Sequence, residues 1–164
     1  MLKRATWLAP QPDLGLLLLR LGGAYLLMMV HGLPKLQHYA GELAQIDDPL
    51  HLGRQLTLWL ALLAEVLCPL AIAAGLYTRL ACVPVLVLLL VSLLAVHPDW
   101  SLAEGQFGWL LLVIFASIGV AGGGRYALAG LLARQATMLA SVPEAPTLAG
   151  TTRPQDEGSG GRHG

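Results

Sequence analysis

Charge is what this sequence has least of. Asp, Glu, Lys and Arg together make up 12% of its 164 residues, against roughly 25% in a soluble domain, so about half of the usual solubilising surface is missing. That argues against an ordinary soluble enzyme. It argues equally against a disordered chain, which needs low hydrophobicity and high net charge. Ten basic residues balance ten acidic ones, leaving no surplus to attract nucleic acid. Cysteine is nearly absent as well. Cys68 and Cys82 belong to no CxxC motif. On neighbouring helices rising about 1.5 Å per residue, their depths differ by roughly 9 Å, beyond the reach of a disulfide. Both therefore read as buried structural thiols.

Apolar residues are what the chain has in excess, at 55% with a mean hydropathy of +0.64. Four runs, at about 14–30, 56–76, 80–96 and 107–120, approach the roughly 20 residues that span a hydrocarbon core. Their Leu- and Ala-rich composition lacks the alternation of a barrel strand, so each predicts a helix. The expected fold is all-α, an integral membrane four-helix bundle over residues 1–132. A cleaved signal peptide is the rival for the first run, but the run exceeds a typical signal core, contains Arg20 and is followed by no small-x-small site.

Between the first two runs, Leu36, Tyr39, Leu43 and Ile46 recur at helical spacing around Glu42 and Gln45. This predicts a short amphipathic helix lying on the membrane in the first outer loop, ended by Asp47-Asp48-Pro49. From 133 to 164 the chain turns to Pro, Gly, Ser and Thr, which bury too little apolar area to offset chain entropy. A disordered tail is expected there, after a short interfacial helix over about Tyr126–Leu139. Basic residues fall mainly on one side of the spans: Lys3, Arg4, Arg79, Arg125, Arg134, Arg153 and Arg162, against Lys35 and Arg54. Because cytoplasmic segments retain positive charge, both termini are expected in the cytoplasm of a multi-pass inner-membrane protein. The lipid bilayer is its first partner.

Ionisable residues inside a span cost at least ~2.5–3.5 kcal/mol each, so they mark interior positions. Arg20 and Glu65 are two such residues, and His31 and His97 lie near the outer ends of the first and third runs. Arg20 and His31 are eleven residues apart, which on a straight helix returns to within roughly 20° of the same direction. Counted along each helix, Arg20 lies roughly 9 Å deep, Glu65 and Tyr25 roughly 17 Å, and both histidines roughly 25 Å. Arg20, His31, Glu65 and His97 form the candidate pocket, with Tyr25, Lys35 and Glu104 beside it. Imidazoles titrate near neutral pH, which suits proton exchange with a quinone. The structural alternative is an Arg20–Glu65 ion pair that fixes helix register, a contact of the modest kind that averages about 0.6 kcal/mol in membranes.

A metal site lacks support, because the two histidines and the carboxylate sit on three helices with no HxxxH or ExxH spacing. Gly122-Gly123-Gly124 reads as a helix stop, since no strand precedes it and no phosphate-loop lysine follows. With no haem-ligating pair or flavin motif either, no cofactor is expected within the chain. Catalytic residues are not identified, and whether the protein is an enzyme is left open.

Leu19-Arg20-Leu21-Gly22 leads into His31-Gly32-Leu33-Pro34-Lys35-Leu36, then Glu65, Gly75-Leu76-Tyr77-Thr78-Arg79 and Gly124-Arg125-Tyr126. In order and spacing, over about residues 14–130, this set resembles the DoxX family of small bacterial membrane proteins. The resemblance implies a four-helix membrane bundle whose relatives include subunits associated with thiosulfate:quinone oxidoreductase and with membrane redox-stress complexes. Its matched positions are Arg20, His31, Lys35, Glu65, Arg79 and Arg125. The family's Gly-Pro-Gly-Arg-Tyr-Ser-Leu-Asp stretch is here Gly122-Gly123-Gly124-Arg125-Tyr126-Ala127-Leu128-Ala129, without its Pro, Ser and Asp. The functional expectation is a redox-linked accessory subunit with an intramembrane pocket for a quinone or small lipophilic molecule, working beside a redox partner protein. A non-enzymatic assembly protein is the alternative. A small-solute carrier is the third reading, disfavoured because four short spans offer no pair of broken helices.

Overall fold

The computed structural model describes residues 11–130, 132 and 135. Lys3, Arg4, the expected tail apart from Gln135, and most of the expected interfacial helix beyond Gly130 lie outside the described residues. The described chain folds as an all-helical bundle. Its elements are α1 (Pro12–Gln37), α2 (Tyr39–Gln45), α3 (Arg54–Ala74), α4 (Thr78–Val96) and α5 (Gln106–Ala121). Three of them, α1, α3 and α4, are long and apolar enough to cross a membrane, and α5 is an apolar helix of 16 residues. The main contacts run α1 to α3, α3 to α4, α4 to α5 and α5 back to α1, closing a ring of four. Short α2 fills the place of the expected amphipathic helix.

At the centre of the ring, Leu111, Phe115 and Ile118 of α5 pack against Cys82, Val85 and Leu89 of α4, with Leu27 and Ile72 closing the cluster. Both cysteines are buried and unbridged. The outside is as apolar as the inside: Leu18, Leu67, Leu94 and Val113 are all more than half exposed. In water so continuous an apolar surface would drive association. Hydrocarbon is the solvent it fits.

Proline shapes three of the four long helices. The helix widens to a π-turn at Met28–Gly32, at Leu63–Leu67 and at Ser92–Val96, and each of these turns ends two residues before a proline: Pro34, Pro69 and Pro98. A proline ring donates no N–H and collides with the carbonyl four residues back. Spreading the preceding turn to five-residue bonds, as from the Leu33 amide to the Met28 carbonyl and from the Cys68 amide to the Leu63 carbonyl, makes room for that ring. This corrects the expected end of the first span near Val30. The wide turn absorbs Pro34 and the helix runs on to Gln37. Pro84 is accommodated inside α4 without a π-turn around it.

Two of the wide turns touch. A Cβ on Gly32 would stand 2.5 Å from the Glu65 carbonyl oxygen and 2.8 Å from a Val66 methyl, so only glycine lets α1 and α3 approach this closely.

At the opposite end of the bundle, α3 stops in a Schellman turn. The Leu76 amide donates to the Ala71 carbonyl and the Gly75 amide to the Ile72 carbonyl, at 2.9 and 3.0 Å. Gly75 takes the left-handed conformation, φ 75°, that this motif favours in glycine. The fully buried Arg20 guanidinium completes the cap: Nε donates to the Ile72 carbonyl at 3.0 Å, Nη2 to the Ala73 carbonyl at 2.9 Å, and Nη1 to the Gly123 carbonyl. Its charge therefore sits where the partial negative ends of α3 collect. Nearby, the Arg125 amide donates to the Asp13 carboxylate at 2.9 Å, tying the segment after α5 to the first turn of α1.

Replacing Arg20 with Met should leave the Ala73 and Gly123 carbonyls without a donor, each costing about 1–3 kcal/mol, and lower the unfolding temperature in detergent. Arg20→Lys should recover only part of this, because a single ammonium cannot supply the fork. An Arg20→Met protein that melts with the wild type would show that the cap contributes little.

Candidate functional site

Lys35 and Glu65 form the salt bridge found among the described residues: Nζ donates to both carboxylate oxygens at 2.6 Å. Glu65 is buried, whereas the Lys35 side chain keeps about a fifth of its surface exposed. The expected Arg20–Glu65 pair does not form. The reason is directional, because helical side chains lean toward the N-terminus of their own helix. On α1 that lean carries Arg20 away from Glu65 and carries Lys35 back toward it. Glu65, on the oppositely running α3, leans toward Lys35. The π-turn between Arg20 and Lys35 also breaks the straight-helix phase, since one extra residue turns everything beyond it by about 100°.

Above this pair lies a cavity of about 680 Å³ that reaches from the loop after α2 down to Glu65. Its size is that of a small-molecule pocket. His31, Lys35, Glu65 and His97 all line it. His31 lies 5.8 Å from Phe107, ring centre to ring centre, at a tilt of 35°, and His97 stacks on Trp100 at 3.8 Å. Leu60, Val87, Leu88 and Val91 supply apolar walls. Arg20 lies outside this cavity, committed to the cap of α3. Tyr25 does not line it either, and points its side chain to the bundle exterior at 58% exposure. Of the six sequence candidates, the structure brings four together and leaves these two elsewhere.

Two of the wide turns position the cavity's groups directly, since His31 belongs to the π-turn of α1 and Glu65 to that of α3, while His97 follows the π-turn of α4. Extra residues in a helix turn re-aim side chains, and such turns gather at functional sites. Sequence reasoning passed over Asp47, Phe107 and Trp100, which also line the cavity. The prolines at 34, 69 and 98 were the available signal. Among the described residues no three His, Cys, Asp or Glu side chains converge as a metal set would.

The rim of the cavity is held by Asp48. Its carboxylate accepts from the Thr57 hydroxyl at 2.8 Å and from the Leu52 and Gly53 amides at 3.0 and 2.7 Å. These donors, the Thr57 hydroxyl foremost, hold the Asp48 carboxyl below the usual range despite some desolvation. They fix the loop whose Asp47, Pro49, Leu50 and Leu52 line the cavity mouth. Glu104, also on the lining, is held below the usual range by the Ser101 hydroxyl and amide.

These features define the class: an apolar helical bundle suited to a membrane, with a largely apolar cavity between its helices that a few polar side chains border. A family model described as DoxX matches residues 15–98, and the chain belongs to the DoxX family. No curated protein and no solved structure matches it.

Removing one member of the Lys35–Glu65 pair leaves the other without its counter-charge. A fully buried pair loses 3–5 kcal/mol this way, and Lys35's partial exposure reduces that to about 2–3 kcal/mol. Lys35→Met and Glu65→Gln should each melt well below the wild type, and the double variant should recover most of the loss. A double variant no better than the singles would show that either charge has another use in the fold.

The rim should be acid-sensitive. A carboxylate held below its unfolded pKa stabilises the fold fully above that value and loses this as pH falls through the folded one. Protection of the Leu52 and Gly53 amides from hydrogen exchange should persist at neutral pH and fall only below the usual carboxylate range. It should be lost at every pH in Asp48→Ala. Protection that is independent of Asp48 would assign the loop's order to other contacts.

Proposed function

We propose that this DoxX-family protein is a redox-linked accessory subunit whose cavity binds a quinone or another small lipophilic molecule. One observation carries the reading: an apolar-walled space of about 680 Å³ is bordered by two histidines and a Lys–Glu pair. Lys35 and Glu65 hold the polar wall, while His31 and His97 exchange protons with the ligand, since imidazole changes charge near neutral pH. Electrons come from a membrane or soluble partner, and the quinone is the one cofactor the reading calls for. In this reading the protein sits in the inner membrane with both termini cytoplasmic, which puts the cavity at the outer face. The Arg20 cap supports the rival, an assembly protein, to the extent that this buried charge is fully used in holding helices together.

The test is photolabelling with a short-chain quinone carrying a photoreactive group, in membranes containing the full chain. Labelling should fall on peptides of α1 and α4, compete with unmodified quinone, and drop several-fold in His31→Ala/His97→Ala at equal protein level. Labelling that ignores both histidines would overturn the quinone reading and favour the assembly role.

A further inference from the structure

We propose that the cavity selects lipophilic cations over neutral or anionic molecules of similar shape. This rests on the reading of the cavity as a ligand site and, of the two ligand classes named there, favours a small lipophilic molecule that is a cation over the neutral quinone.

The argument begins with the charges on the lining. Glu42, Asp47, Glu65 and Glu104 are there, against Lys35 as the single ammonium. Lys35 is committed to Glu65, both of whose oxygens it holds at 2.6 Å, so this pair cancels. Glu42, Asp47 and Glu104 make no ion pair among the described residues. Glu104's hydrogen bonds come from Ser101, which brings no charge. The lining therefore carries three carboxylates without an ion-pair partner, and the nearby Arg54, which donates to the Ala44 carbonyl at 2.8 Å, does not line the cavity.

Apolar walls amplify that imbalance. Leu60, Val87, Leu88 and Val91 bring low-dielectric surface to the same space, and a low-dielectric cleft lined with one sign of charge focuses its field inward. Aromatic rings work in the same direction. Phe107 and the half-exposed Trp100, one face of which His97 covers, line the cavity, and an uncovered face of such a ring attracts cations. A small inorganic anion meets repulsion from the rim and gains nothing from the walls. A lipophilic cation is favoured by both, and a neutral lipophile by the walls alone.

Three probes of related shape separate these cases: tetraphenylphosphonium, triphenylphosphine oxide and tetraphenylborate, bound to the purified full chain in neutral detergent micelles and measured by equilibrium dialysis. Comparing proteins rather than probes cancels their different partitioning into the micelle. Tetraphenylphosphonium should bind saturably, more weakly at raised salt, and several-fold more weakly to Val91→Trp, whose indole takes up part of the cavity. In Glu42→Gln/Asp47→Asn/Glu104→Gln its affinity should fall about tenfold, as expected for several screened carboxylates acting together. Each single substitution should account for part of that fall, which guards against a misfolded triple variant. The phosphine oxide should bind both proteins alike, and tetraphenylborate should bind the triple variant better. If Val91→Trp weakens phosphonium binding but the rim substitutions leave it unchanged, the charge preference is wrong and the ligand cavity stands. If no probe binds saturably, or Val91→Trp changes nothing, the ligand cavity itself is wrong and the preference falls with it.

Discussion

One guanidinium holds the Arg20 end of this bundle together. Arg20 donates to backbone carbonyls of α3 and of the segment after α5, so a single side chain of α1 joins three parts of the chain. Backbone acceptors are an economical choice in a membrane, where each unsatisfied polar group costs several kcal/mol. The last carbonyls of a helix are orphans by construction. Arginine supplies donors in a rigid fork and stays ionised under all ordinary conditions, so the cap needs no carboxylate. Around it the chain is built from small residues. A Cβ on Gly75 would lie 2.6 Å from Ala127, and one on Gly123 would lie 2.7 Å from the Ala127 methyl. The guanidinium fits because nothing larger competes for the space.

Much of the architecture was legible in composition and run length, because the solvent dictates both. Apolar runs near the thickness of a bilayer, separated by turn residues, leave helices as the economical solution. The amphipathic spacing from Leu36 to Ile46 marked the place of α2. The partner of Glu65 was not legible, and the reason is specific. Depth and phase on a straight helix set Arg20 and Glu65 within reach of each other. They omit the lean of side chains toward the helix N-terminus and the turn of phase at Met28–Gly32. Lean is recoverable from sequence once helix direction is known. The π-turn is recoverable only as a suspicion raised by Pro34.

Prolines thus do more than interrupt these helices. Each π-turn before Pro34, Pro69 and Pro98 lies at the level of the cavity, and two of them meet at Gly32, where the Glu65 carbonyl lies against α1. Pro69 deprives that carbonyl of its usual donor four residues on. Regular helices would have packed side chain against side chain here. Widened turns instead re-aim His31 and Glu65 toward a common space, and Gly32 brings their backbones close beneath it. The floor of the cavity is therefore a consequence of helix geometry that a few residues impose, while the segment between α1 and α3 supplies its mouth.

This arrangement separates two uses of charge that the sequence presents side by side. Arg20 is buried and spent on the backbone, so it can turn away only by unfolding the cap. Lys35 and Glu65 cancel each other, yet Lys35 keeps contact with solvent and both border the open space. A neutral pair in a cavity wall keeps the wall polar without giving the cavity a net sign. The sign is then set by the rim, where Glu42, Asp47 and Glu104 lie on the short helix and on the two loops at that end. Loop residues can change without disturbing the helix packing below. The Arg20 cap and the charged rim therefore lie at opposite ends of the bundle, and each can be altered with the other left in place.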